Sequence, residues 1–161
     1  MSILQKNVFI TGNAGVGKSK VTQVIVQNFL FKNKKIGVTS STTISAININ
    51  GTTLHSFLGI GISIMPASVL YKDLIDKRYK SPIHTKLKKL EILIIDEISM
   101  INGDLFELID EYLQLIKKND LPFGGVQLIL IGDFYQLLPV KIINYVLIPN
   151  HGQKQILNVL I

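Results

Sequence analysis

The sequence predicts an α/β fold, a mainly parallel sheet flanked by helices. Three observations predict it. Short apolar runs alternate with segments of helical periodicity. Those runs are near-continuous (Val8-Phe9-Ile10, Leu93-Ile94-Ile95, Leu128-Ile129-Leu130-Ile131), as expected of strands covered on both faces. Two of them end in residues suited to chemistry: a glycine-rich turn after the first, and Asp96-Glu97 after another.

The elements follow in order. Residues 7–11 read as a short buried strand. A helix is expected from about Gly17 to Phe31, with Val21, Val24, Ile25, Asn28 and Phe29 on one stripe. Residues 35–39 form a second strand. Ser41 and Thr42 offer N-caps for a short helix through Ile49, and Asn50-Gly51 signals a turn. Gly59-Ile60-Gly61 and Pro66 mark a loop. Residues 67–79 read as a helix with Val69, Leu70, Leu74 and Ile75 inward, broken by Ser81-Pro82. Residues 90–95 are a strand. Residues 104–118 form an amphipathic helix with Leu105, Leu108, Ile109, Tyr112, Leu115 and Ile116 on its apolar face. Pro122 and Gly124-Gly125 close the connection to a strand at 127–131 that ends in Gly132-Asp133. After Val140 only a strand at 142–148 suggests itself. The expectation is one domain over residues 1–140 and an unassigned segment over 141–161.

Composition narrows the function classes. With no cysteine, disulfides and thiolate metal sites are excluded. His55, His84 and His151 have no metal-ligand spacing. No apolar run approaches the ~20 residues that span a bilayer, and Met1 to Lys6 does not read as a signal peptide. The expectation is an intracellular protein without a membrane partner. The net charge of +6 is carried almost wholly by lysine, with Arg78 the only arginine. Lysines cluster at 32–35, 72–80 and 86–89. They suit either solvated helix faces or a surface for phosphates.

Gly12-Asn13-Ala14-Gly15-Val16-Gly17-Lys18-Ser19 has the spacing of a phosphate-binding loop, between an apolar strand and a helix. Its glycines let the backbone wrap tightly with N–H groups pointing inward at phosphates. Lys18 is placed to reach the β- and γ-phosphates, and the Ser19 hydroxyl to ligate Mg²⁺. Leu93-Ile94-Ile95-Asp96-Glu97 puts an acidic pair at the carboxyl end of a buried strand, where α/β folds place ligands. Asp96 is the candidate Mg²⁺ ligand, directly or through water. Glu97 is the candidate base for the attacking water. In Gly132-Asp133-Phe134-Tyr135-Gln136, Gln136 offers an uncharged amide to a γ-phosphate or that water.

Four blocks together resemble the first motor domain of the petite-integration-frequency (PIF) family of superfamily-1B DNA helicases, relatives of RecD. They are Asn7-Val8-Phe9-Ile10-Thr11-Gly12 with its loop, Thr52 through Gly61 (T-T-L-H-S-F-L-G-I-G), Leu93 through Ile101 (L-I-I-D-E-I-S-M-I), and Pro122 through Leu130 (P-F-G-G-V-Q-L-I-L) running into Gly132-Asp133-Phe134. They cover about residues 6 to 140. The resemblance implies a RecA-like P-loop NTPase sheet, with the strand before Gln136 between those leading to Lys18 and Asp96. It implies ATP and Mg²⁺ as cofactors, single-stranded DNA as partner, 5′-to-3′ movement, roles in DNA repair, recombination and telomere maintenance, and Gln136 as γ-phosphate sensor. It also places Thr39, Thr42, His55, Ser56 and Phe57 along the single-strand track, hydroxyls on phosphates and the aromatic on a base. From the residues alone, Phe57 equally reads as core, His55 as a loop imidazole and the threonines as caps.

The chain departs from the family pattern at two places. S-T-G-I-A-A becomes Ser41-Thr42-Thr43-Ile44-Ser45-Ala46, and Q-L-P-P becomes Gln136-Leu137-Leu138-Pro139. No adenine-reading glutamine segment is expected before the first strand, and a second motor domain is expected in cis or in trans. Two other readings stay open: a non-hydrolysing ATP- and DNA-binding module that needs a partner, and a P-loop ATPase unrelated to helicases.

Overall fold

The computed structural model describes residues 7–13, 15–61, 65–76 and 81–133, and the backbone of 156–160. The chain runs β1 (Asn7–Thr11), α1 (Lys18–Phe31), β2 (Ile36–Ser40), α2 (Thr43–Asn48), β3 (Thr52–Thr53), α3 (Leu54–Leu58), α4 (Ala67–Asp76), α5 (Pro82–Lys89), β4 (Ile92–Asp96), α6 (Gly103–Lys117), β5 (Gln127–Gly132) and β6 (Ile156–Leu160). Single 3-10 turns at Ile98–Met100 and Pro122–Gly125 join β4 to α6 and α6 to β5.

The strands form one sheet in the order β3-β2-β4-β5-β1-β6. Every pairing is parallel. β5 lies between β1 and β4, the position expected for the strand that leads to Gln136. The strands alternate between two cores. On one face Phe9, Leu93, Ile95, Leu128 and Leu130 pack with Ile109, Tyr112 and Leu113 of α6 and with α3 to α5. On the other, Val8, Ile10, Ile92, Ile94, Ile129 and Ile131 pack with Phe29 of α1, beside Val21, Ile25 and Val26. Covering both faces is why β4 is buried at all five positions and reads as an unbroken apolar run.

Local chemistry sets the element ends. Thr42 caps α2 by accepting a hydrogen bond from Ser45 N at 3.2 Å. Asn102 caps α6 through Leu105 N at 2.8 Å, with Asp104 in the first turn and Lys117 in the last, complementing the helix dipole. The turn before β5 is held from within α6: buried Asp110 accepts from Phe123 N at 2.5 Å and from Gln114 Nε2 at 2.8 Å. Phe123 and Gly124 there both have left-handed φ values, 54° and 63°.

The structure corrects three expected stripes. In α1, Val24 and Asn28 face solvent, while Thr22 is buried. Thr22 tolerates burial because its hydroxyl donates to Lys18 O at 2.9 Å. In α4, Val69 and Ile75 point outward; Ala67 and Leu74 are buried, and Leu70 and Tyr71 pack against the core. In α6, Leu115 is partly exposed and Phe106 and Leu113 are buried instead. Four elements were not read from the sequence: β3, α3, α5 and β6. Pro82 does not only end the preceding segment. It occupies the first turn of α5, where its missing N–H leaves no hydrogen bond unmade. The strand expected at 142–148 lies outside the described residues.

Candidate functional site

β1, β5 and β4 end side by side, with Thr11 opposite Gly132 and Ile95 opposite Leu130. This carboxyl edge gathers the glycine-rich loop, Asp96-Glu97 and Gly132-Asp133. Gly12 is half-buried, and Asn13, Gly15, Val16 and Gly17 are exposed. Gly15 and Gly17 adopt φ of 82° and 96°, a left-handed backbone that admits no side chain without strain. Gly17 leaves the start of α1 without a side-chain cap, and no acidic residue lies in the first turn. Instead Lys18 and Lys20 add positive charge where the helix dipole is already positive. The start of a helix without a side-chain cap, its positive dipole end and two cations together suit an anion.

The Lys18 ammonium is folded back on its own loop, donating to Gly12 O at 2.6 Å and Asn13 O at 2.9 Å. Ser19 is exposed at the next position. Ala14 and Gln136 lie outside the described residues.

Asp96 ends β4 and is only 4% exposed. Burial is the main cause that raises its pKa; Glu97 N donating at 3.0 Å lowers it, the Glu97 charge raises it, and Lys18 lowers it. Lys18 and Asp96 thus lie at the same edge of the sheet, after β1 and at the end of β4, with β5 between those strands. Glu97 is half-buried and takes a left-handed conformation, φ 55° and ψ 46°. For a residue with a Cβ this costs about 1–2 kcal/mol, a strain of the kind that concentrates at functional turns. Asp96 is fixed by its backbone too: Ser41 N donates to Asp96 O at 3.2 Å and Ser40 Oγ at 3.3 Å.

Among the described residues no three His, Cys, Asp or Glu side chains cluster as a protein-only metal site. The donors fit Mg²⁺ nonetheless. That ion takes one or two protein oxygens and completes its shell with phosphate and water. Asp96 is a desolvated carboxylate that a cation would relieve, and Ser19 is exposed in the first turn of α1, which starts at the same edge.

The five candidates for the single strand divide. Ser56 is exposed, and His55 and Thr42 are half-buried. The Thr42 hydroxyl is engaged as the α2 cap. Two of the five are buried. Thr39 is fully buried and its hydroxyl donates to Ile94 O at 2.7 Å, across the β2–β4 pair. Phe57 is 9% exposed, with its ring against Gly37. Lys86 Nζ covers that ring at 3.9 Å and donates to Phe57 O at 2.7 Å. Packing within the sheet and over it claims both residues. The sequence reading missed Ser40, Ser41 and Lys86. Their signal was positional only: two hydroxyls at the end of the strand beside Asp96, and a lysine on an unread helix.

The profile of the PIF1-like helicase family matches residues 1–159. Among curated proteins, the chain is 44% identical over 139 residues to the ATP-dependent DNA helicase PIF1 of Emericella nidulans, covering 84% of this chain and 18% of that protein. It is 42% identical over 136 residues to the ATP-dependent DNA helicase RRM3 of Saccharomyces cerevisiae, covering 83% of this chain and 18% of that one. The chain thus spans about a fifth of these relatives' length. Among solved structures, the Pif1 helicase of Candida albicans superposes with a TM-score of 0.76 at 40% identity, over 84% of this chain and 31% of that one. A Bacteroides Pif1 in complex with ADP-AlF3 and single-stranded DNA superposes with a TM-score of 0.68 at 40% identity, over 84% and 30%. Its RecA-like sheet, its nucleotide-edge motifs and these matches agree: the chain belongs to the PIF1-like helicase family.

Proposed function

We propose that the chain is the first motor domain of an ATP-dependent DNA helicase, binding ATP·Mg²⁺ at the carboxyl edge of its sheet and single-stranded DNA beside it. The observation that carries the proposal is the pairing of the uncapped, doubly cationic start of α1 with the buried carboxylate of Asp96 across β5. In this account the phosphates settle on the amides of residues 15–19. Lys18 exchanges the Gly12 and Asn13 carbonyls for the β- and γ-phosphates, a charge-assisted contact in place of neutral ones. Ser19 and Asp96 hold Mg²⁺, which neutralises charge developing on the phosphoryl oxygens. Glu97, pointed by its left-handed turn, takes a proton from the attacking water. Gln136 is assigned the sensor role that the family resemblance implies. The motor domain takes in residues 1–140 together with β6, which lengthens its sheet on the far side of β1.

DNA contacts are assigned to Ser56, His55 and Thr42. A second motor domain is needed for turnover. An arginine acting on the γ-phosphate adds about 10³–10⁵ in rate, and the chain's single arginine, Arg78, is remote in sequence from every nucleotide motif. This also sustains a second reading, a module that binds ATP and DNA without hydrolysis. A steady-state ATPase assay with and without single-stranded DNA, repeated with a second motor domain supplied, separates the two. DNA-stimulated turnover appearing only with that domain supports the helicase. No turnover in any combination, with ATP still bound, supports the module.

A further inference from the structure

At the opposite end of the sheet the structure gathers a second cationic surface. Because the strands are parallel, the turns entering β2 and β4 lie together. Lys34 Nζ is 2.7 Å from Glu91 Oε1, and Lys35 N donates to Glu91 Oε2 at 2.8 Å. Lys117 Nζ reaches the carbonyls of Lys88 and Leu90, so the ends of α5 and α6 close on the same corner. Glu91 is committed to Lys34 there. Lys32, Lys35, Lys88, Lys89 and Lys118 remain exposed. Lysines at the ends of α5 and α6, and Lys32 at the C-cap of α1, complement those helix dipoles, which leaves the apolar residues at the end of α1 unexplained. There Phe31 is 89% exposed directly before Lys32, beside half-exposed Leu30. An exposed aromatic ring followed by exposed lysines at 32 and 35 offers the combination that binds single-stranded nucleic acid, with phosphates on the lysines and a base on the ring.

We propose that this corner is a second contact for single-stranded nucleic acid, with Phe31 and Lys32 at the end of α1 on one face of the sheet and Lys35, Lys88 and Lys89 around the turns entering β2 and β4. It is separate from the nucleotide edge and independent of ATP. It provides a place for a strand segment beyond the one beside the nucleotide, so the domain grips a longer stretch of strand.

The test uses fluorescence anisotropy of a labelled oligothymidylate with the 161-residue chain across a salt series. The fourfold variant Lys32→Gln/Lys35→Gln/Lys88→Gln/Lys89→Gln should flatten the slope of log affinity against log salt by about 3, at ~0.7 for each phosphate no longer neutralised. Phe31→Ala should weaken binding about five- to 100-fold with the slope unchanged. All five positions are on the surface, so unfolding curves should match the parent. Lys18→Ala should leave this binding intact, which separates the proposal from the fate of the nucleotide site. A parental slope in the fourfold variant, or parental affinity in Phe31→Ala, overturns it. So does polyglutamate competing as well as oligothymidylate at equal charge, which would make the corner a site for an acidic peptide.

Discussion

Phe57 decides whether the T-L-H-S-F block serves the core or the strand. A Cβ built at Gly37 would lie 2.5 Å from Phe57 Cζ and 3.1 Å from Leu93 Cδ1. The ring therefore rests on the bare backbone of β2, between that strand and β4. Phe57→Ala removes the ring and leaves a cavity over both strands, worth about 3–5 kcal/mol. The Lys86 ammonium over the ring adds about 0.5–1 kcal/mol, limited by its exposure to solvent. Against a total stability of about 5–15 kcal/mol, that is a large fraction. In thermal terms it is about 6–20 °C, at ~2–4 °C per kcal/mol for a domain of this size. Phe57→Leu refills part of the volume and should cost about 1–2 kcal/mol. Urea unfolding with a constant m-value measures both, and oligothymidylate anisotropy on the folded proteins gives affinity. Phe57→Leu should bind the strand as the parent does. If it keeps its stability yet loses affinity tenfold or more, the ring reads a base and the core assignment is wrong.

Other expectations follow from the same structure. Gly124→Ala should destabilise the chain by more than ~1 kcal/mol, because φ is +63° and the new Cβ would meet Leu113 O at 2.6 Å; a melting temperature within a degree of the parent would contradict this. Asp110→Ala should cost about 2–3 kcal/mol by removing the carboxylate that accepts from Phe123 N and Gln114 Nε2, while Asp110→Asn keeps an acceptor and should recover much of it in urea unfolding. Asp96 predicts a pH dependence. Burial raises its folded pKa above the unfolded value, so its share of stability is fully present below the unfolded pKa of ~3.9 and is lost as pH rises through the folded one. Asp96→Asn should therefore melt higher than the parent at pH 7 and show no such gain near pH 3; an equal difference at both pH values would rule this out.

Much of the architecture was legible because the central strands β1, β4 and β5 are covered on both faces and the longer helices are flanked by turn chemistry. β1, β4 and β5 announced themselves as apolar runs, and the loop from Gly12 to Ser19 and the Asp96-Glu97 pair by their place after them. α3 was hidden by its length, five residues with no full period to read. α5 was hidden by Pro82, which ends one helix and begins another with equal ease. The outward turns of Val24, Val69 and Ile75 have a different cause. Periodicity fixes which residues share a stripe but not how the helix is rotated on the sheet, and side chains such as Thr22 are buried when the preceding turn satisfies them. The nucleotide edge was readable because phosphate binding uses backbone and spacing. The strand contacts were less so: Thr39 and Phe57 share residue types with DNA contacts but are spent on a cross-strand hydrogen bond and on packing over Gly37. Asp110 carried no signal of its role, since its partner Phe123 N is a backbone atom thirteen residues away.

The central claim is that the loop between β1 and α1 holds ATP·Mg²⁺ through Lys18. Isothermal titration of ATP·Mg²⁺ into the parent chain and into Lys18→Ala tests it most directly. The account predicts measurable binding to the parent and a loss of about 1.5–3 kcal/mol in the variant, roughly 10- to 150-fold. Equal affinity for the two proteins would contradict it.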